Sequence, residues 1–148
     1  MATAWDSSFR ASLAERVSRL TADARPAWGK LNATGMLAHV NDSYRMVLGD
    51  LYVKPKNLPI RFTPIKQLII YALPFPKGAP TAPELLARCD NASLAEEQLA
   101  YTALLARLGA VTPATKLEAH PAFGKLTHQA YGVLIARHTD HHFRQFGL

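Results

Sequence analysis

Two histidines near the end of the chain are spaced so that both imidazoles could bind one metal ion. His138 and His142 stand four residues apart in the stretch "ARHTDHHFRQFGL". On an α-helix, residues with this spacing lie about 40° apart on one face, one turn along the axis. Two imidazoles so arranged converge on a single ion in helical metal sites. His141 lies about 60° from His138 on the other side, so it stays open whether His141 replaces His142.

A metal site with two histidines needs a further ligand, and His39 is the best candidate. It lies in an apolar helical stretch among Met36, Val40 and Val47, where an unpartnered polar side chain carries a desolvation cost. Helical bundles build metal sites from inward-facing residues of different helices. Three imidazoles with one open position are a ligand set of catalytic zinc. The alternative, in which the histidines are hydrogen-bonded core residues without a metal, stays open.

Few side chains near these histidines could take part in catalysis. Asp42 follows His39 by three residues and is a candidate for a general base or for a group that orients the imidazole. Gln145 follows His142 by three residues and could orient that imidazole or a substrate. This short supply of bases favours a transferase slightly over a hydrolase.

Four amphipathic helices are predicted to position these residues. In the first, apolar side chains recur at steps of four and three from Trp5 to Leu20, which puts them on one face. Strand-like alternation is almost absent from the chain. The predicted helices span residues 5–21, 33–49, 93–109 and about 127–146.

Candidate capping residues stand at the starts of three of these helices. Asn32 or Thr34 could cap the second helix, and Thr127 could cap the fourth. Ser93 and Glu96 have the spacing of a capping box for the third.

Two similar hexapeptides precede the helices that carry the histidines. They read "PAWGKL" at residues 26–31 and "PAFGKL" at residues 121–126. The histidines that follow them are one helical turn out of register. The repeat is therefore interpreted as a shared turn for entering a helix rather than as a duplication.

A long proline-rich connection joins the second and third helices. Residues 55–83 hold seven of the ten prolines, which argues against a strand or a long helix. Thr63-Pro64 could open a short helix that runs through Tyr71. The sequence thus predicts one all-α domain over residues 1–148, a four-helix bundle with a long crossover between its second and third helices.

This connection also carries most of the net charge of +6. No acidic residue lies between Asp50 and Glu84, whereas five basic residues do. They are either a solvated loop face or a mouth that attracts an anionic substrate. Nucleic acid is not an expected partner, because a dense basic helix or interleaved aromatic residues would then be more usual. The basic residues are Lys54, Lys56, Arg61, Lys66 and Lys77.

The sequence gives no sign of a membrane or secretory location. The longest strongly apolar stretch, residues 68–75, is far shorter than the roughly 20 residues of a membrane span. The first ten residues contain no apolar signal region. Cys89 is the single cysteine, so no internal disulfide can form. We expect a cytoplasmic protein that does not bind membranes.

Both histidine stretches resemble the DinB/YfiT-like four-helix-bundle superfamily of metalloenzymes. "LNATGMLAHVNDSYRMVLG" resembles its first histidine helix, and "HPAFGKLTHQAYGVLIARHTDHHFRQFG" resembles its last. The ending is closer still to an uncharacterised branch of that superfamily. The resemblance implies an up-down-down-up bundle with a divalent metal, most often zinc or nickel. By position, its ligands are His39, His138 and His142.

The resemblance also implies an activity. Characterised relatives include transferases that use a low-molecular-weight thiol (bacillithiol, mycothiol or glutathione) and hydrolase-like members. The expectation is therefore a metal- and thiol-dependent transferase that acts on a small-molecule substrate and pairs as a homodimer. A metal-free small-ligand-binding or structural bundle is the first alternative, and a metal-dependent hydrolase is the second.

Overall fold

Five α-helices and two short 3₁₀ helices form the chain, which a computed structural model describes over all of residues 1–148. There is no β-strand, and a single isolated bridge joins His120 to Gly124. The predicted all-α fold is confirmed, while the up-down-down-up order stays a prediction. The α-helices are α1 (Ser7–Ser18), α2 (Ala33–Leu48), α3 (Ile65–Tyr71), α4 (Leu94–Gly109) and α5 (His128–Gln145), and the 3₁₀ helices are Pro59–Arg61 and Pro83–Leu85.

Two of the predicted caps form and one does not. The Asn32 side chain accepts a hydrogen bond from the backbone N–H of Gly35 at 2.7 Å, at the start of α2. Thr127 caps α5 in the same way. The capping box predicted from Ser93 and Glu96 is wrong, because the Ser93 side chain makes no capping bond. Both residues are exposed, so water can satisfy the free N–H groups there.

The core lies where α1, α2, α4 and α5 meet. Of these helices, α2 contacts both α4 and α5 and is buried along almost its whole length. A helix that is covered on several sides in this way is central to its bundle. It therefore holds His39 at the centre of the molecule. Residues that are fully buried in this core include Leu13, Met36, Leu37, Val40, Tyr101, Leu108 and Phe143.

The crossover is attached to α5 through the short helix α3, whose prediction from Thr63-Pro64 is confirmed. Ile70 is completely buried and packs in one cluster with Val133 and Leu134 of α5. The Arg137 guanidinium of α5 donates hydrogen bonds to carbonyl oxygens near the end of α3, among them that of Ile69 at 3.0 Å. These contacts hold the segment that follows α3 against the histidine helix.

The two similar hexapeptides each place their glycine in the left-handed region. Gly29 has φ +89° and Gly124 has φ +69°, a left-handed conformation that glycine adopts without steric cost. The first turn leads into α2 and the second into α5. Both segments thus precede the histidine helices, but only the second is closed by backbone hydrogen bonds, those between His120 and Gly124. None of the helices has both the length and the apolar character that a membrane span requires.

Candidate metal centre

Three imidazoles from two helices meet at one point. His39 of α2 faces His138 and His142 of α5, and Nε2 of His138 lies 3.2 Å from Nε2 of each of the other two. All three nitrogens lie within 4.8 Å of one another. In a tetrahedral zinc site with Zn–N bonds of about 2.0–2.1 Å, two ligand nitrogens are roughly 3.4 Å apart. The observed spacing fits such a site, and His142, not His141, completes the group.

The orientation of His39 is set by the crossover. Its Nδ1 lies 3.1 Å from the main-chain carbonyl oxygen of Leu85, in the second 3₁₀ helix. Because a carbonyl oxygen only accepts hydrogen bonds, Nδ1 must carry the proton. In the neutral ring, Nε2 then presents a lone pair to the other two histidines. A backbone acceptor of this kind is a common partner of a metal-binding histidine.

The orientation of His142 is set by Gln145. The Gln145 Nε2 donates to the carbonyl oxygen of Trp28 at 3.1 Å, which fixes the amide so that its oxygen faces His142. That oxygen lies 2.6 Å from Nδ1 of His142, so Nδ1 must be the donor. Nε2 of His142 therefore also presents a lone pair. The structure brings Gln145 and His142 together, and the role of Gln145 in orienting the ring stays a prediction.

These assignments leave the three nitrogens with too few protons to pair among themselves. The lone pairs of His39 and His142 both point at Nε2 of His138. That atom carries at most one hydrogen in the neutral ring, and one hydrogen serves one of the two acceptors with good geometry. At least one buried lone pair thus lacks a donor. A cation between the three nitrogens would satisfy all of them, so the residues fit a metal ion.

Burial keeps the three imidazoles neutral. It lowers the pKa of His39 and lowers the pKa of His142 to about 3. Burial, with the facing imidazoles as further causes, holds the pKa of His138 well below its ordinary value. The neutral ring is the form that binds metals. The group is therefore ready to bind a cation at neutral pH.

Asp42 lies close in sequence to His39 but makes other contacts. Its carboxylate is 3% exposed and accepts hydrogen bonds from Arg45 at 2.7 Å and from Arg88 at 2.9–3.2 Å. Arg88 also bonds to the buried Glu97. Two guanidinium groups thus occupy the oxygens of Asp42, and this carboxylate forms no hydrogen bond with His39. These contacts favour a structural role for Asp42 over that of a general base.

The family follows from the comparison with known families. The model of the DinB superfamily matches residues 7–146. The chain belongs to the DinB superfamily. The match includes both helices that supply the three histidines. Comparisons with curated proteins and with solved structures gave no significant match.

In this DinB-superfamily chain, a cleft of about 420 Å³ lies beside the three histidines. The Phe75 ring connects the two, because its centroid lies 6.4 Å from that of His138 and 6.0 Å from that of His141. Trp28 meets His141 from another side, at 5.7 Å. His138 and His142 are half-buried, whereas His39 is enclosed. Residues that line the cleft include Trp28, Phe75, Lys77, Arg137, His141 and Arg144.

Three contributors to this site were not predicted. The Leu85 carbonyl has no side-chain signature, so sequence patterns cannot reveal it. Phe75 lies in the proline-rich connection, and its position depends on how α3 packs against α5. Trp28 did carry a signal, since it is the aromatic residue of the repeated hexapeptide. That repeat, however, indicated only a turn, and it did not predict the hydrogen bond between the Trp28 carbonyl and Gln145.

Proposed function

We propose that the chain binds one divalent metal ion, zinc or nickel, through Nε2 of His39, His138 and His142. The observation that carries this proposal is that the Nε2 lone pairs of His39 and His142 both point at His138. The Leu85 carbonyl fixes the ring of His39 directly, and the Trp28 carbonyl fixes that of His142 through Gln145. Hydrogen bonds alone leave that arrangement unsatisfied. A metal ion would satisfy it, and all three rings are in the neutral form that binds metals.

A bound cation would supply Lewis acidity, which lowers the pKa of a water or thiol at its remaining position. The protein's own residues would do the rest. Leu85 and Gln145 hold two rings in the ligating orientation. Phe75 covers part of the side that faces the cleft. The proposal places the approach of small molecules to the half-buried pair His138 and His142 on that side.

We propose further that the activity is transfer to a low-molecular-weight thiol. The support is the lack of a base: no carboxylate forms a hydrogen bond or an ion pair with any of the three histidines. Water is a poor nucleophile without a proton acceptor, whereas a thiol is much more acidic and needs less help. The same observation makes a metal-dependent hydrolase the weaker candidate. The small-molecule substrate and a homodimer belong to this proposal as well.

Metal analysis of the untagged protein tests the ligand set. We expect about one zinc or nickel ion per chain by inductively coupled plasma mass spectrometry. Substituting His39, His138 or His142 with alanine should remove it. His141→Ala is the matched control, because His141 is adjacent to His142 but forms no hydrogen bond with any of the three histidines and lies outside their group, and it should retain the metal. Full stoichiometry in any of the three variants would refute the assignment.

The metal-free alternative makes a different prediction. If the three histidines only share hydrogen bonds, the wild-type protein should contain no stoichiometric metal after reconstitution. Its melting temperature should also be the same with and without a chelator. Under the metal proposal the ion binds only the folded state, so chelation should lower the melting temperature.

A turnover assay tests the transferase proposal. Metal-loaded protein would be incubated with a chloro-aromatic compound or an epoxide and with bacillithiol, mycothiol or glutathione in turn. We expect a rate that depends on one thiol and is lost in His138→Ala. Hydrolysis of an ester panel without any thiol dependence would favour the hydrolase and contradict the transferase.

A further inference from the structure

The cleft beside the three histidines has uncompensated positive charge. The Lys77 ammonium lies 4.4 Å above the centre of the Trp28 ring and takes part in no ion pair of the structure. Arg137 lies 5.1 Å above the Phe75 ring and also has no carboxylate partner. Its hydrogen bonds go to main-chain carbonyls, which do not neutralise its charge.

The one acidic side chain of the cleft is already paired. The Asp140 carboxylate bonds to Arg16 at 2.9 Å and to Arg144 at 2.8 Å. It therefore does not balance Lys77 or Arg137. The cleft keeps a net positive charge next to aromatic walls, and aromatic rings and cations together attract an anion that has an apolar body.

The cleft adjoins the site of the three histidines through His141, which lines the cleft and packs against His142. Ring contacts lead from Trp28 to His141 at 5.7 Å and from His141 to His142 at 5.3 Å. The volume of about 420 Å³ lies within the range of small-molecule sites. A ligand that fills it would contact Lys77 and His141, and His141 is the neighbour of His142.

We infer that this cleft is a subsite for an organic carboxylate, with Lys77 as the residue that binds the anionic group and Trp28 and Phe75 as the apolar walls. The inference rests on the proposed function in one respect: it takes the bound carboxylate to be part of the substrate or of the thiol that reacts at the metal centre. Of the five basic residues of the crossover, Lys77 is the one that lines this cleft.

A neutral molecule of the same shape and a neighbouring tryptophan make the test specific. Benzoate is the probe, and benzamide is its uncharged counterpart. The chain has two tryptophans. The Trp5 indole N–H donates to the carbonyl oxygen of His128 at 2.9 Å and serves as an internal reference, so the Trp28 indole signal in a ¹H–¹⁵N spectrum reports binding. Trp28→Phe assigns that signal.

The titration uses metal-free protein, so that benzoate cannot bind through a metal ion. We expect benzoate to shift the Trp28 signal and not that of Trp5, and benzamide to bind several-fold more weakly. Lys77→Ala should weaken benzoate binding about three- to tenfold, as expected for a charge-assisted contact of an exposed lysine. Binding should also weaken as salt screens the charges.

Lys116→Ala is the matched control, since Lys116 is an exposed lysine outside the cleft. It should bind benzoate as the wild type does. Equal affinities for benzoate and benzamide, or equal effects of the Lys77 and Lys116 substitutions, would overturn the inference. Metal stoichiometry is measured on the same samples. Binding of one metal ion without binding of benzoate would contradict this inference alone. Binding of benzoate without a metal ion would contradict the proposed function.

Discussion

Replacing Gln145 with leucine should weaken metal binding without removing any of the three ligands. Gln145 is 8% exposed, and its oxygen lies 2.6 Å from Nδ1 of His142. Leucine has a similar volume but no acceptor, so the Nδ1–H loses its partner and the ring its fixed orientation. A buried donor left unpaired costs about 1–3 kcal/mol. Loss of such an orienting partner typically reduces metal affinity about 10- to 100-fold.

The assay is a zinc competition with a chromophoric chelator of known affinity at neutral pH. Two further variants separate orientation from general destabilisation. Gln145→Glu keeps an oxygen for His142 and should retain zinc affinity near that of the wild type, although it loses the bond to the Trp28 carbonyl. Gln98→Leu removes another glutamine that bonds to main-chain carbonyls, those of Val17 and Leu20, and should leave zinc binding unchanged.

Wild-type zinc affinity in Gln145→Leu would refute this reasoning. It would mean that the contact with Gln145 does not set the ligating nitrogen of His142. Equal losses in Gln145→Leu and Gln98→Leu would also contradict it, because the effect would then follow stability rather than the orientation of one ring.

Three further substitutions test the surroundings of the site. In Gly29→Ala a Cβ would lie 2.7 Å from Nε2 of Gln145, and the left-handed backbone adds about 1–2 kcal/mol of strain, so both the melting temperature and zinc affinity should fall. Arg88→Ala leaves the buried Glu97 without its guanidinium and should reduce the free energy of unfolding in urea by about 1–3 kcal/mol. Burial lowers the pKa of His120 to about 4. The unfolded chain therefore binds more protons as the pH falls from about 6.5, and stability should drop by up to about 1.4 kcal/mol per pH unit. His120→Asn, which keeps an acceptor for the turn, should reduce that drop.

Each of these three predictions has a control that isolates its cause. Gly78→Ala imposes a similar backbone strain at φ +80° but meets no atom within 4 Å, so zinc affinity should stay unchanged; an equal loss would contradict the contact with Gln145. Arg107→Ala breaks an exposed ion pair and should cost less than about 1 kcal/mol. An Arg88→Ala variant no less stable than this control would contradict the role of the buried network. The prediction for His120 fails if His120→Asn follows the wild-type profile between pH 7 and pH 5.

The hydrogen bonds of Glu97 add a prediction for acidic pH. Burial alone would raise the pKa of Glu97, but the hydrogen bonds from Arg88 and Asn41 outweigh it and hold the pKa below its ordinary value. The stability that this contributes is complete above the ordinary glutamate pKa of about 4.3 and is lost as the pH falls through the lower value of the folded state. In Glu97→Gln the loss of stability below pH 4 should therefore be smaller than in the wild type. Equal slopes of unfolding free energy against pH would contradict the shift.

Local sequence patterns predicted the helices and the spacing of the histidines well, because both depend on periods of three to four residues. The i, i+4 pair His138 and His142 follows from helix geometry alone, and Asn32 and Thr127 cap the helices where their side chains suggest. Asp42 shows the limit of such patterns. Its distance in sequence from His39 suggested a base, but the carboxylate bonds to Arg88, which is 46 residues away along the chain.

The surroundings of the site depend on tertiary packing that sequence patterns do not encode. The carbonyl of Leu85 and the ring of Phe75 reach the histidines only because the crossover packs against α2 and α5. The charge of Lys77 was visible in the sequence, as part of a run without acidic residues. Its position over Trp28 required the fold, and that position turns a basic segment into one wall of a cleft.

X-ray absorption spectroscopy at the zinc edge of the reconstituted, untagged protein tests the central claim most directly. The account predicts three imidazole nitrogens and one further light atom at about 2.0–2.1 Å, with the multiple-scattering pattern of histidine rings. One imidazole fewer is expected for His39→Ala. A shell with fewer than three imidazoles in the wild type would contradict the convergence of His39, His138 and His142 on one ion.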